Sequence, residues 1–206
     1  MTQPTIIGVA ADGNTRSYGA DSNSNDNKRE VSNINIPANA NTVICLFGID
    51  TTSSSTDIIS SLSIDLSGAS KVHDVTISPD SVMKSARLAI FDVTSCGAGT
   101  TKLTAQLSVT NTKHSILGVV CTDGFIESFV SGGDRYDKDD SEVNAFSGNV
   151  ANNVLLYMGI KQDDKDEFSF GTSGTGVTSL FVDHSTADAI TAVGATQATA
   201  SNNIYK

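Results

Sequence analysis

The segment SARLAIFDVTSCGAGTTKLTAQLSV, residues 85–109, decides the fold class. In its second half Leu103, Ala105, Leu107 and Val109 alternate with Lys102, Thr104, Gln106 and Ser108. A strict period of two is a strand with one buried face. In the first half, Leu88 and Ile90 fall on a different face from Arg87 and Phe91. The glycines between the halves predict a hairpin that turns at 96–99. Leu88, Ile90, Leu103 and Leu107 are then expected in the core.

That turn also holds Cys96, Gly97, Gly99 and Lys102, so two chemical alternatives need weighing. A phosphate-binding loop wants G-x-x-x-x-G-K-[ST] between a strand and a helix. CGAGTTK lacks the Gly-Lys pair and runs into a strand. A nucleophilic thiol needs a histidine or a helix N-terminus to lower its pKa. No helix follows Cys96, and His73, His114 and His184 are scattered without metal-ligand spacing. GTSGTG at 171–176 lacks the G-x-S-x-G order and also precedes a strand. The sequence therefore offers no catalytic residue, no metal site and no cofactor site, and it does not read as an enzyme.

The same texture extends in both directions. VSNINIP alternates Val31, Ile34 and Ile36 imperfectly, and TVICLFGID is the continuous apolar run of a strand buried on both faces. LSIDL, KVHDVTIS, HSILGVVCT, FIESFV, VNAF, NVLLYMGIK, EFSF, VTSLFVD and AITAVGAT follow, each bounded by Gly, Asn, Asp or Ser. Short strands at roughly ten-residue spacing predict an all-β antiparallel β-sandwich or jelly roll. Ser, Thr, Asn and Gly dominate the remainder, and such residues compete for backbone hydrogen bonds and disfavour helices.

Residues 11–30, ADGNTRSYGADSNSNDNKRE, have almost no apolar content. Such a segment cannot offset its own ordering entropy and is expected to be flexible. The chain divides on this basis into an N-terminal arm, 1–30, with a strand-like anchor at 5–10, and a sandwich domain, 31–206. Tyr18, Lys28 and Arg29, among the large or basic groups of the arm, are its expected contact residues.

Bulk properties narrow the function classes. A net charge of −10 with scattered Lys and Arg argues against nucleic acid as a partner. Apolar runs of about seven residues are far short of the ~20 needed to span a bilayer, so no membrane role is expected. No signal peptide is visible, and Cys45 and Cys121 lie within apolar runs, which fits folding in a reducing cytoplasm. The acidic stretches GGDRYDKDDSE, 132–142, and QDDKDE, 162–167, have ligand density for Ca²⁺ but match no EF-hand. Their interspersed cations favour solvated loop tips. Glycan stacking would rest on Tyr18, Tyr136 and Tyr205, which are far apart in sequence.

The order of segments carries a resemblance. INIPANANTVICLFGI, SLSIDLSGASKVHDV, the 85–109 segment, HSILGVVCTDG and NVANNVLLYMGIK, spanning 31–161, together resemble a β-sandwich of tailed-bacteriophage virion proteins. The resemblance implies a structural role with no catalytic residues. The expected protein is a capsid decoration (cement) protein that stabilises the phage head by bridging neighbouring subunits. Its partners would be the major capsid protein or other virion subunits, and the chain a homo-oligomer, with a trimer as one form. It would be made in the host cytoplasm and end on the virion surface. The alternative is a receptor- or glycan-binding module of a tail, fibre or baseplate.

Overall fold

The computed structural model describes residues 6–9, 27–49, 58–77, 86–109, 115–124, 155–162, 177–185 and 190–197. These residues form eleven strands: β1 (Ile6–Val9), β2 (Lys28–Ile36), β3 (Thr42–Ile49), β4 (Ile59–Ile64), β5 (Ser70–Ile77), β6 (Ala86–Asp92), β7 (Gly99–Leu107), β8 (Ser115–Thr122), β9 (Leu155–Gln162), β10 (Val177–Ser185) and β11 (Ile190–Gln197). No helix occurs among the described residues. The strands pair antiparallel in three sheets, ordered β1-β8-β3-β6-β5, β2-β7-β4 and β10-β11-β9. Of the other segments expected to be strands, FIESFV, VNAF and EFSF lie outside the described residues.

The five-stranded and the β2-β7-β4 sheets pack into an antiparallel sandwich. Its interior is lined by Val31, Ile34 and Ile36 of β2, Val43, Cys45 and Phe47 of β3, and Leu103, Ala105 and Leu107 of β7, among others. Strand alternation produces this set directly: β7 buries every second residue, as its period of two requires. β3 is the exception that its sequence announces. Ile44 and Leu46 on its other face are also fully buried. β10 and β11 approach β8 and β9 approaches β3, so the third sheet lies against that outer side. A strand covered on both faces is apolar almost throughout, and the buried Thr42 at its start donates its hydroxyl to Gly124 O at 3.0 Å.

The expected 85–109 hairpin does not form. β6 pairs with β3 and β5, whereas β7 pairs with β2 and β4 in the other sheet. Residues 93–98 are therefore an arch that carries the chain across the sandwich. Val93 is buried inside the arch, its N–H bonds Asn41 O at 3.0 Å, and Cys96 N–H bonds Val93 O at 2.8 Å. Leu88, Ile90, Leu103 and Leu107 are all buried as expected, but the two residues of β6 do not share a face with the two of β7. Ala89, Phe91 and Val93 line the sandwich interior together with Leu103 and Leu107. Leu88 and Ile90 are buried on the opposite face. Both faces of this strand are apolar, so alternation shows that two faces exist without ranking them.

Nested pairing describes the topology. β1 pairs with β8, β2 with β7 and β3 with β6. A jelly roll would close the series with β4 against β5, but β5 extends the five-stranded sheet beside β6 instead. The described fold is an antiparallel sandwich, without that last pair.

Two irregularities have identifiable causes. Val31 and Ile34 are three residues apart, yet their partners Leu103 and Thr101 are two apart. A β-bulge absorbs the extra residue, with Asn33 at φ 63°, a left-handed conformation that asparagine tolerates better than most residues. The imperfect alternation of VSNINIP is this bulge. Gly8 of β1 runs so close to Pro37 that an added Cβ would stand 2.8 Å from its Cγ. β1 also packs Ile7 against the core.

The edges of β4 and β5, unpaired on one side among the described residues, are fastened to each other by side chains. Arg87 of β6 donates from Nε to Asp74 Oδ1 of β5 at 2.5 Å and from Nη1, across the sandwich, to Ile59 O of β4 at 2.7 Å. It also donates to Thr76 Oγ1 at 3.2 Å. Lys71 pairs with the same carboxylate and reaches Leu62 O of β4 at 3.2 Å. Cationic side chains thus reach the β4 carbonyls that a β4–β5 ladder would have engaged.

Candidate interaction surface

The exterior of the β2-β7-β4 sheet is polar because the alternation that buries Leu103, Ala105 and Leu107 turns Lys102, Thr104 and Gln106 outward. Lys28 lies opposite Gln106 and Glu30 opposite Thr104. Glu30 Oε1 accepts from Lys28 Nζ and from Lys102 Nζ, each at 3.1 Å. These two hydrogen bonds, first from Lys28 and then from Lys102, hold the Glu30 carboxyl below its ordinary range. Gln106 Nε2 donates to Asn27 O at 2.7 Å, and Ser60 Oγ donates to Gln106 O at 3.0 Å. Solvent and salt screen ion pairs this exposed, so they organise the surface more than they stabilise it.

The three expected contact residues separate. Lys28 is exposed on this surface. Arg29 points the other way: its side chain is buried, with 3% of the residue exposed, and Nη1 donates to Lys28 O at 3.1 Å. As an exposed gripping point Arg29 is therefore corrected. The signal is present in the sequence, because Val31 faces inward and residue 29 shares its side of the strand. Tyr18 lies outside the described residues. Lys102 joins Lys28 at the same carboxylate, and its only mark in the sequence is its place on the polar side of β7.

The division at 30/31 falls inside β2, and β1 belongs to the five-stranded sheet. Both flanks of the polar segment are thus strands of the sandwich. Residues 10–26 themselves lie outside the described residues. Charge is distributed unevenly as well. The described residues hold six Lys or Arg and six Asp or Glu, so the net −10 of the chain resides in the segments between them.

Cys96 sits half-buried in the 93–98 arch beside the β4–β5 turn, where Gly68 adopts φ 89°. A Cβ at Gly68 would stand 3.6 Å from Cys96 Sγ and 3.4 Å from Ser95 O. Burial raises the Cys96 pKa, and the Asp92 carboxylate adds to the rise. Burial also raises Cys45, and it pushes Cys121 up to about 12. All three thiols are free and held protonated. At neutral pH the folded protein should show one slowly reacting thiol, slower than the few per cent thiolate of an ordinary cysteine allows. Unfolding should release three fast ones. A folded-state labelling rate above that of a free cysteine would restore Cys96 as a nucleophile.

Among the described residues no group of three or more His, Cys, Asp or Glu side chains is placed to hold a metal ion. The acidic stretches around 134–142 and 163–167 lie outside them, as does His114. No protein-family model matches the chain, and no curated protein or solved structure gives a significant match to it.

Proposed function

We propose that this chain is a structural virion protein, a capsid decoration (cement) protein that bridges neighbouring subunits of a phage head. The observation that carries the proposal is the anchoring of the polar N-terminal segment. It leaves β1 at the edge of one sheet and enters β2 at the edge of the other. A segment too polar to bury itself, held at both ends by the sandwich, has a fixed base from which to order along a neighbour. The segment order of residues 31–161 supports the same conclusion. The Lys28–Glu30–Lys102 surface lies at the β2 end of the segment and adds two cations to an otherwise acidic chain. Its partners are capsid subunits and further copies of the chain.

The arrangement of β1 and β2 sets the test. Deleting residues 1–30 would remove β1, the core contact of Ile7 and the buried Arg29, so attachment and folding would be lost together. Replacing only residues 11–26 by a short Gly-Ser linker separates the two. That variant should keep its melting temperature while its occupancy on particles of the parent virus, and their thermal stability, decline. Equal occupancy and equal shell stability would remove the segment from the mechanism. A specific glycan-array signal in place of particle binding would favour the receptor-binding alternative.

A further inference from the structure

We propose that Asp74, Arg87 and Lys71 form an acid-released latch that closes the open edges of β4 and β5, independently of the role assigned to the polar segment. Asp74 is the shared element. It accepts from Arg87 Nε at 2.5 Å and pairs with Lys71, while both cations extend to the carbonyls of Ile59 and Leu62 on the opposing sheet. Asp74 and Arg87 are largely shielded, with side-chain exposures of 17% and 16%, whereas Lys71 closes the cluster from the solvent side at 33%. The carboxylate holds the two cations at the seam, and they in turn occupy β4 carbonyls in place of a neighbouring strand. Protonating Asp74 removes the charge that gathers them. The guanidinium and the ammonium then gain more from water than from one carbonyl each, and the edges of β4 and β5 come apart.

The groups facing Asp74 among the described residues are few. β6 supplies Arg87, β5 supplies Lys71 and Thr76, and β4, ISSLSI, supplies carbonyls and no ionisable side chain. Burial disfavours the Asp74 anion, but the hydrogen bonds from Arg87 and Lys71 outweigh it and the carboxyl is held below its ordinary value. The sign follows. A depressed carboxyl contributes stability that is complete above the ordinary carboxylate range and is lost as pH falls through the folded value. The latch is closed near neutrality and opens in acid.

Amide hydrogen exchange, corrected for the intrinsic pH dependence, tests this on the intact chain between pH 7 and pH 3. Protection of β4 and β5 amides should fall first, with the opening equilibrium rising by up to roughly tenfold per pH unit, the limit for uptake of one proton. Protection in β3 and β8 should persist through that range. In Asp74→Asn the β4 and β5 amides should be weakly protected already at pH 7 and show little pH dependence. The latch is overturned if β4 and β5 protection in the parent protein is flat with pH, or if it falls together with that of β3 and β8. It is equally overturned if a folded Asp74→Asn variant keeps the parental profile. Should that variant fail to fold, the comparison of strands in the parent protein decides alone.

Discussion

Phe47→Ala should lower the unfolding free energy by about 3–5 kcal/mol, the range for truncating a buried aromatic side chain. Phe47 is fully buried on β3, the middle strand of the five-stranded sheet, and contributes to the interior between the two sheets. Against a typical total of about 5–15 kcal/mol, such a loss brings the domain near its threshold. The neighbouring residue supplies the informative contrast. Leu46 faces the other side of the same strand, opposite Leu88 and Gly118, and is as fully buried. Because β9–β11 lie against that side, Leu46→Ala should cost about 2–5 kcal/mol as well. Urea denaturation of both variants checks the pair. A cost for Leu46→Ala well under about 1 kcal/mol, the level of an ordinary surface substitution, would mean that this face is exposed in solution and that the third sheet does not cover it.

The second large effect is expected from Arg87→Met, which keeps most of the stem and removes the charge. It leaves Asp74 paired with Lys71 and takes away the donor to Ile59 O. Deleting one partner of a shielded pair costs about 3–5 kcal/mol, because the desolvated charge left behind has lost its compensation. Asp74 retains one cation and some contact with water, so the low end of that range applies. Substituting Asp74 by Leu in the same variant should recover a good part of the loss, since the stranded carboxylate is then gone. Thermal or urea unfolding of the parent, the two single variants and the double variant measures the coupling. A loss for Arg87→Met of about 0.5 kcal/mol or less, typical of exposed ion pairs, would show that solvent screens the whole cluster.

Several features of this fold are legible in the residue order. β7 is legible over 102–107, where Leu103, Ala105 and Leu107 face inward and alternate with Lys102, Thr104 and Gln106. The continuous apolar run of β3 signals burial on both faces, as found. The three-residue spacing of Val31 and Ile34, in a strand that otherwise alternates, is the mark of the bulge at Asn33. The direction of Arg29 is legible too, although its charge and its neighbour Lys28 suggest exposure. Alternation outranks residue type there, because the strand fixes the direction of the side chain.

The partners of each strand are not legible. A period of two records which side of a strand is dry, and it is the same whether the next strand lies beside it or across the sandwich. The glycine-bearing turn of 96–99 therefore has the signature of a hairpin and is an arch. β6 shows the limit most clearly: Leu88 and Ile90 are as apolar as Ala89 and Phe91, and only the placement of β7 and of the third sheet assigns them to different interiors. Arg87, Asp74 and Lys71 likewise read as ordinary strand polars, and β4 shows nothing of the cations that reach its carbonyls. That these segments are strands, and which residues share a face, follows from the order of residues, since side-chain direction is a local property of an extended backbone. Sheet membership, the second interior and the Asp74 cluster arise only once the chain has folded, because pairing and charge contacts join residues that local periodicity does not relate.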